Sequence, residues 1–123
     1  MSVGGDRKLL GRWGEDLVAK ELRRQGCRIV AAGWHCRFGE IDLIADDGKF
    51  LRLVEVKLRK NADFALAREA VDARKQGKLR AAAELYLAWN PTRLQPRFDV
   101  AEVYAPQGMA TERPEINYIE NAF

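Results

Sequence analysis

Residues 39 to 57 restrict the chain to a narrow set of folds. Gly39-Glu40-Ile41-Asp42-Leu43-Ile44 reads as a strand, Asp46-Asp47-Gly48 as a turn, and Leu53-Val54-Glu55-Val56-Lys57 as a second strand. An Asp-Gly pair between two apolar runs is a strong signal for a two-residue hairpin loop. Side chains alternate across a strand, so Glu40, Asp42 and Ile44 share one face, as do Leu51, Leu53, Glu55 and Lys57. The segment therefore predicts a β-hairpin that carries acids and a lysine among near-continuous apolar neighbours.

Loop length decides what those acids can do. If Asp47-Gly48 is the loop, Asp42 faces Leu53 and Glu55 lies diagonal to it, with Cα atoms roughly 7–8 Å apart. A four-residue loop would set Asp42 directly opposite Glu55. A three-residue loop would send the two to opposite faces. Carboxylates on one face can close on a single ion, since Mg–O distances are about 2.0–2.1 Å. Acids among leucines and isoleucines are costly without compensation. A divalent cation would supply it, with help from Lys57. Glu40, across from Glu55, adds repulsion that a cation between them would relieve.

The rest of the chain reads as a frame for this hairpin. A helix is expected from about Asp6 to Gln25, with Leu10, Gly14, Leu17, Val18 and Leu22 as its apolar stripe and Gly26 as its stop. Gly11 and Gly14 lower helix propensity by about 1 kcal/mol each, a cost that close approach to a sheet would justify. Glu15 sits at the margin of the stripe, where it can reach over the sheet edge toward the hairpin. Glu21 falls inside the stripe. A strand near Arg28–Ala32 and another over Trp34–Arg37 lead into the hairpin, and Asn61–Leu66 is a loop beyond it. A second helix is predicted from an N-cap at Asp72 to about Trp89, stopped by Asn90-Pro91, with Leu79, Ala82, Ala83, Tyr86 and Trp89 or its neighbours as its apolar positions. Phe98–Tyr104 alternates as a strand, and Glu115–Ile119 is a final edge strand. The long helix between the third and fourth strands suits a parallel crossover. The expected fold class is α/β, a mixed central sheet with helices on both faces, in a single domain over residues 1–123.

Composition bounds the class of function. The chain is 47% apolar and 32% charged, an ordinary globular balance. No apolar run approaches a membrane span, and the N-terminus lacks the apolar stretch of a signal peptide, so a cytoplasmic location is expected by default. Cys27 and Cys36 fit no metal-ligand spacing. Cys27 is expected to pack as a small apolar residue at the helix end, and His35-Cys36 to lie in a strand. The net charge is +3, and its distribution says more than its size. Lys57, Arg59 and Lys60 follow the acids, and Arg74, Lys75, Lys78 and Arg80 cluster with no acid among them. A phosphate-binding surface accounts for both groups.

The Asp42…Glu55-x-Lys57 arrangement resembles the PD-(D/E)XK nucleases, which include restriction endonucleases and archaeal Holliday-junction resolvases. More closely, Gly11-Arg12-Trp13-Gly14-Glu15, Arg37-Phe38-Gly39-Glu40-Ile41-Asp42-Leu43-Ile44, Val54-Glu55-Val56-Lys57, Ala70-Val71-Asp72-Ala73-Arg74-Lys75-Gln76 and Arg97-Phe98-Asp99-Val100 resemble the YraN family of small bacterial proteins. One departure is that Ile41, not proline, precedes the aspartate, and that proline is often absent in the superfamily.

The resemblance implies a three-layer α/β/α, restriction-endonuclease-like fold and a metal-dependent endonuclease acting on DNA, with branched DNA as the first choice of substrate. Asp42 and Glu55 would be direct ligands of Mg²⁺ or Mn²⁺, with the Val56 carbonyl as a further ligand. Lys57 would orient or activate the attacking water, and Glu15 would complete the metal environment. Lys57, Arg59, Lys60, Arg74, Lys75, Gln76 and Lys78 are candidates for backbone contacts. Cleavage of two strands would call for a homodimer. The rival readings are a nucleic-acid-binding module that keeps the fold without catalysis, and an interaction protein using Trp34, Trp89 and the tail.

Overall fold

The computed structural model describes residues 3–60 and 71–123, with side chains described from Lys8 onward. The elements run α1 (Val3–Arg24), β1 (Arg28–Cys36), β2 (Gly39–Asp46), β3 (Phe50–Arg59), α2 (Ala73–Trp89), β4 (Gln95–Tyr104) and β5 (Glu115–Ile119), with a 3₁₀ turn at Gly108–Ala110. The loop expected over Asn61–Leu66 lies outside the described residues. The strands form one sheet in the order β1-β2-β3-β4-β5. β3 and β4 are parallel and every other neighbouring pair is antiparallel, so α2 makes the crossover. No helix among the described residues is long and apolar enough to cross a membrane.

The two helices cover opposite faces. Val18, Ala19 and Leu22 of α1 pack with Leu43, Ala45, Val54, Ala101 and Val103. Ala82, Ala83 and Tyr86 of α2 pack with Ile41, Ile44, Leu51 and Leu53. The switch between Leu53 and Val54 is the strand period of two at work. The result is the mixed α/β arrangement expected from the sequence, consistent with a restriction-endonuclease-like fold.

Local chemistry explains the element boundaries. Gly26, with φ of 96°, ends α1, and the N–H of Cys27 returns to the Leu22 carbonyl. Cys27 is then buried against the α1 core. Asp72 caps α2 by accepting from the Lys75 N–H at 2.9 Å. Asn90 closes it, since its backbone N–H and its Nδ2 both donate to the Tyr86 carbonyl. A Cβ on Gly14 would stand 3.1 Å from Leu58 Cδ2, so the glycine does serve close approach of α1 to β3. Gly11 has no such neighbour.

Four expectations need correction. β1 runs unbroken from Arg28 to Cys36, with Gly33 inside it at a φ of 64° that a glycine tolerates. The hairpin loop has four residues: the ladder begins at Asp46 opposite Leu51. Asp47 causes this, since its Oδ1 accepts the N–H groups of Lys49 at 2.8 Å and Phe50 at 2.6 Å and its Oδ2 holds Arg52. Trp89 is 75% exposed, not part of the α2 core. Glu21 lies at the surface, paired with Arg24.

The best-compensated buried charge is Asp99, which is 0% exposed. Its carboxylate accepts from Arg97 Nε at 2.8 Å, Arg97 Nη2 at 3.0 Å, the Tyr118 hydroxyl and the Asn121 N–H at 2.9 Å. Asp99→Ala leaves Arg97 and Tyr118 without their acceptor, and the expected loss is about 3–5 kcal/mol of stability. A fall in the urea midpoint with unchanged slope checks it.

Candidate metal centre

The site forms where β2 separates from β3. Their ladder pairs Asp46 with Leu51, Ala45 with Arg52, Ile44 with Leu53 and Leu43 with Val54, and the same offset sets Asp42 opposite Glu55. Pairing stops before that point. The Val56 N–H, which a continued ladder would give to β2, donates instead to Asp42 Oδ2 at 2.8 Å. The alternation of β2 also breaks there, because Ile41 joins Ile44 in the α2 core instead of following Leu43 into the α1 core. A fork opens between the two strands, and the side chains of both layers meet in it.

α1 delivers Glu15 to the fork. Carboxylate oxygens of Glu15, Glu40 and Asp42 all lie within 4.8 Å of one another. None of the three forms an ion pair among the described residues. Burial first, then the charge of Glu55, pushes the Asp42 carboxyl up to about 8, against the pull of the Val56 N–H. Burial, then Glu40, Asp16 and Glu55, pushes Glu15 up to about 7 despite the nearby Arg12. A cleft of about 780 Å³ opens beside the cluster, lined by Lys8, Arg12 and His35 together with Glu15 and Glu40.

α2 delivers the opposite charge. Glu55 is 6% exposed, and the Lys75 ammonium rests directly on its Oε1. Lys57 Nζ is 3.6 Å from the same oxygen. Burial, then the neighbouring Lys75 ammonium, lowers the Lys57 pKa.

Asp42 and Glu15 are thus brought together with Glu40, and Val56 contributes its N–H to the same fork, while Glu55 and Lys57 adjoin it and Glu55 is not one of the three converging carboxylates. The other candidates disperse. Arg59 is tied to buried Glu102, at 3.3 Å. The Gln76 amide donates to the Val71 carbonyl at 2.8 Å and so braces the entry to α2. Arg80 covers the stacked Phe98 and Phe123 rings. Lys60, Arg74 and Lys78 are exposed.

Two participants carry more weight than the sequence suggested. Glu40 completes the acidic cluster, and its parity with Asp42 was the available signal. Lys75 contacts Glu55, and the signal was a basic first turn on a helix whose dipole disfavours cations there.

The donor set fits a hard divalent cation. All the donors are carboxylate oxygens, which suit Mg²⁺ or Mn²⁺. Neighbouring oxygens on one octahedral Mg²⁺ lie about 2.9 Å apart and opposite ones about 4.2 Å, so the carboxylates would draw together on binding the ion. Burial and then repulsion from neighbouring acids raise the Asp42 and Glu15 pKa values, and a cation would offset both.

This chemistry fixes a pH dependence. The folded pKa values of Asp42 and Glu15 lie above their ordinary values, so the folded state holds these protons more tightly. The stabilising contribution is complete below about pH 4 and is lost as pH rises toward about 8. In chelator, the melting temperature should fall across this range insofar as these groups control it. Asp42→Asn should flatten the profile. Mn²⁺ should raise the melting temperature most at the alkaline end, where protons compete least. Calorimetric scans at several pH values check all three.

Comparison with known proteins finds relatives of similar length. The model of the uncharacterised protein family UPF0102 matches residues 14–103, which include every residue of the fork. A UPF0102 protein of Pelotomaculum thermopropionicum is 42% identical over 118 residues, covering 95% of this chain and 97% of the relative. One from Nocardia farcinica is 42% identical over 124 residues, covering 97% and 92%. One from Ectopseudomonas mendocina is 40% identical over 116 residues, covering 93% of each.

Proposed function

The chain belongs to the UPF0102 family, and on that footing we propose that it is a Mg²⁺- or Mn²⁺-dependent endonuclease of the PD-(D/E)XK kind, acting on DNA in the cytoplasm. The observation that carries this reading is the fork itself. Glu15, Glu40 and Asp42 converge without a counter-ion, while the Glu55–Lys57 pair stands on the adjoining strand.

Asp42 and Glu55 are the residues that would hold the ion, with Glu15 and Glu40 beside them. The ion would lower the pKa of bound water and stabilise charge developing on a phosphodiester. Lys57, its proton loosened by burial, lies within reach of Glu55, where it can orient a water and steady a phosphate oxygen. Asp42 keeps its place through the Val56 N–H. Lys8 and Arg12 on the α1 side, and Arg74 and Lys78 on the α2 side, offer cations to the backbone on either side of the acids. No base-reading motif accompanies them, so recognition is by backbone and shape, and branched DNA is the first substrate to test.

A second reading has one observation behind it. The candidate ligands already have structural tasks, Asp42 on Val56 and Glu55 under Lys75, as a binding module with a retained nuclease fold would require.

A panel of duplex, single-stranded and branched DNA in Mg²⁺ and Mn²⁺ separates them. Glu55→Ala and Lys57→Ala should each lower cleavage by at least about a hundred-fold, and Glu15→Ala should weaken it less. Binding without cleavage throughout the panel would favour the module. Cleavage that survives Glu55→Ala would point to a contaminant. Neutralising Arg74 and Lys78 together should flatten the salt dependence of duplex binding, by about 0.9 in log–log slope for each phosphate that they neutralise. An unchanged slope would leave them as solvated helix residues.

A further inference from the structure

We propose that Lys75 is a resident counter-ion of Glu55, which a divalent cation must displace and which the phosphate of a bound nucleic acid draws away. This rests on the metal-centre reading above and concerns how that centre is loaded.

The charges in the fork are unevenly shared. Two ammonium groups, Lys57 and Lys75, address one oxygen of Glu55, and Lys75 is in direct contact with it. No ammonium or guanidinium pairs with Glu15, Glu40 or Asp42 among the described residues. A cation shared by Asp42 and Glu55 would have to compete with Lys75 for the charge of the same carboxylate, whichever of its oxygens it took. The free protein thus places a monovalent charge where the ion would bind.

Lys75 is placed so that it can leave. Its side chain is 39% exposed, while that of Glu55 is 7% exposed, so the lysine has solvent to move into and the carboxylate does not. A lysine stem is long and flexible, and its ammonium is indifferent to the direction of its partner. Lys57 repels it from the same oxygen. The first turn of α2 contains Arg74 and Lys75 and no acid, against the helix dipole. That arrangement is unfavourable for the helix alone and favourable once an anion lies there. Asp72 at the N-cap supplies one such anion, and Glu55 adds a second in the free protein. A phosphate beside exposed Arg74 would serve in its place when nucleic acid is bound.

The exchange conserves charge. Phosphate replaces Glu55 as the partner of Lys75, and the cation replaces Lys75 as the partner of Glu55. Each half is weaker alone: phosphate without metal leaves buried Glu55 with Lys57 as its one remaining partner, and metal without phosphate sends Lys75 into solvent. Metal and nucleic acid should therefore bind cooperatively, and Lys75 should weaken metal binding in the free protein.

Calorimetric titration of Mn²⁺ into the full chain without nucleic acid tests the first half. Lys75→Gln should bind Mn²⁺ about ten-fold more tightly than wild type, as expected when a charge-assisted contact no longer competes. Lys75→Arg, which keeps the charge, should show no gain. Lys75→Met, which keeps the apolar stem, repeats the measurement if the glutamine variant melts early. Asp42→Ala in the Lys75→Gln background should lose the tightened binding, which locates the ion. The second half is read from a short duplex bound in Ca²⁺, where Lys75→Gln should lower the log–log salt slope by about 0.9. Unchanged or weaker Mn²⁺ affinity in both uncharged variants, with Mn²⁺ still binding at Asp42, would overturn the role of Lys75 alone. An unchanged salt slope would overturn its transfer to phosphate. The absence of Mn²⁺ binding in every protein would overturn the metal centre, and this proposal with it.

Discussion

The hydrogen bond from the Val56 N–H to Asp42 Oδ2 decides the rest of the site. Two antiparallel strands that kept pairing would put a backbone carbonyl where that carboxylate lies and would close the sheet over it. A side chain has satisfied the donor instead, so the ladder can end without leaving a buried N–H unpaired. β2 then diverges, Ile41 turns into the α2 core, and a wedge opens between neighbouring strands. Only such a wedge lets a residue of α1 and a residue of α2 approach the same carboxylates, because an unbroken sheet would stand between them.

Among the described residues, the acids drawn away from solvent are compensated unequally, and the contrast bears on function. Asp99 accepts from a bidentate arginine, a tyrosine hydroxyl and a backbone N–H. Glu102, at 3% exposure, accepts from Arg59, Tyr104 and Asn117. In both, several donors offset the cost of burial. Asp42 has one backbone donor and three acidic neighbours, and its carboxyl is pushed up to about 8. The fold evidently has the means to compensate a buried acid fully, and it does so on β4. At Asp42 it leaves the compensation incomplete.

Most of the architecture was legible because it rests on short-range rules. Period-two alternation gave the strands, Gly26 and Asn90 gave the helix ends, and the length of the β3–β4 connection gave the parallel crossover. What escaped depended on contacts that spacing does not encode. The Asp-Gly pair implied a two-residue loop, but the Asp47 carboxylate captures two backbone N–H groups and an arginine and so widens it to four. That change moved Asp42 from diagonal to opposite Glu55, one of the alternatives the sequence left open. Trp89 looked apolar and periodic, yet it falls at the last turn, past the surface that α2 covers. The basic run from Arg74 to Arg80 read as one patch. Helical geometry divides it into a Glu55 contact at Lys75, an aromatic cover at Arg80 and exposed cations at Arg74 and Lys78.

The position of the fork in the topology gives it a further property. β3 and β4 are parallel, and α2 follows β3, so the N-terminus of α2 lies toward the carboxyl end of β3, where Glu55 and Lys57 stand. Ligands of open α/β sheets gather at that end because helix N-termini point their positive ends there. In this chain the same end also receives the acids of β2, which runs antiparallel to β3 and begins where β3 finishes. A site built this way has carboxylates from β2 and α1 on one side and a helix N-terminus with its lysine on the other. Neither side suits a neutral ligand. A polyanion together with a cation satisfies both at once, and the two should therefore be bound as a pair.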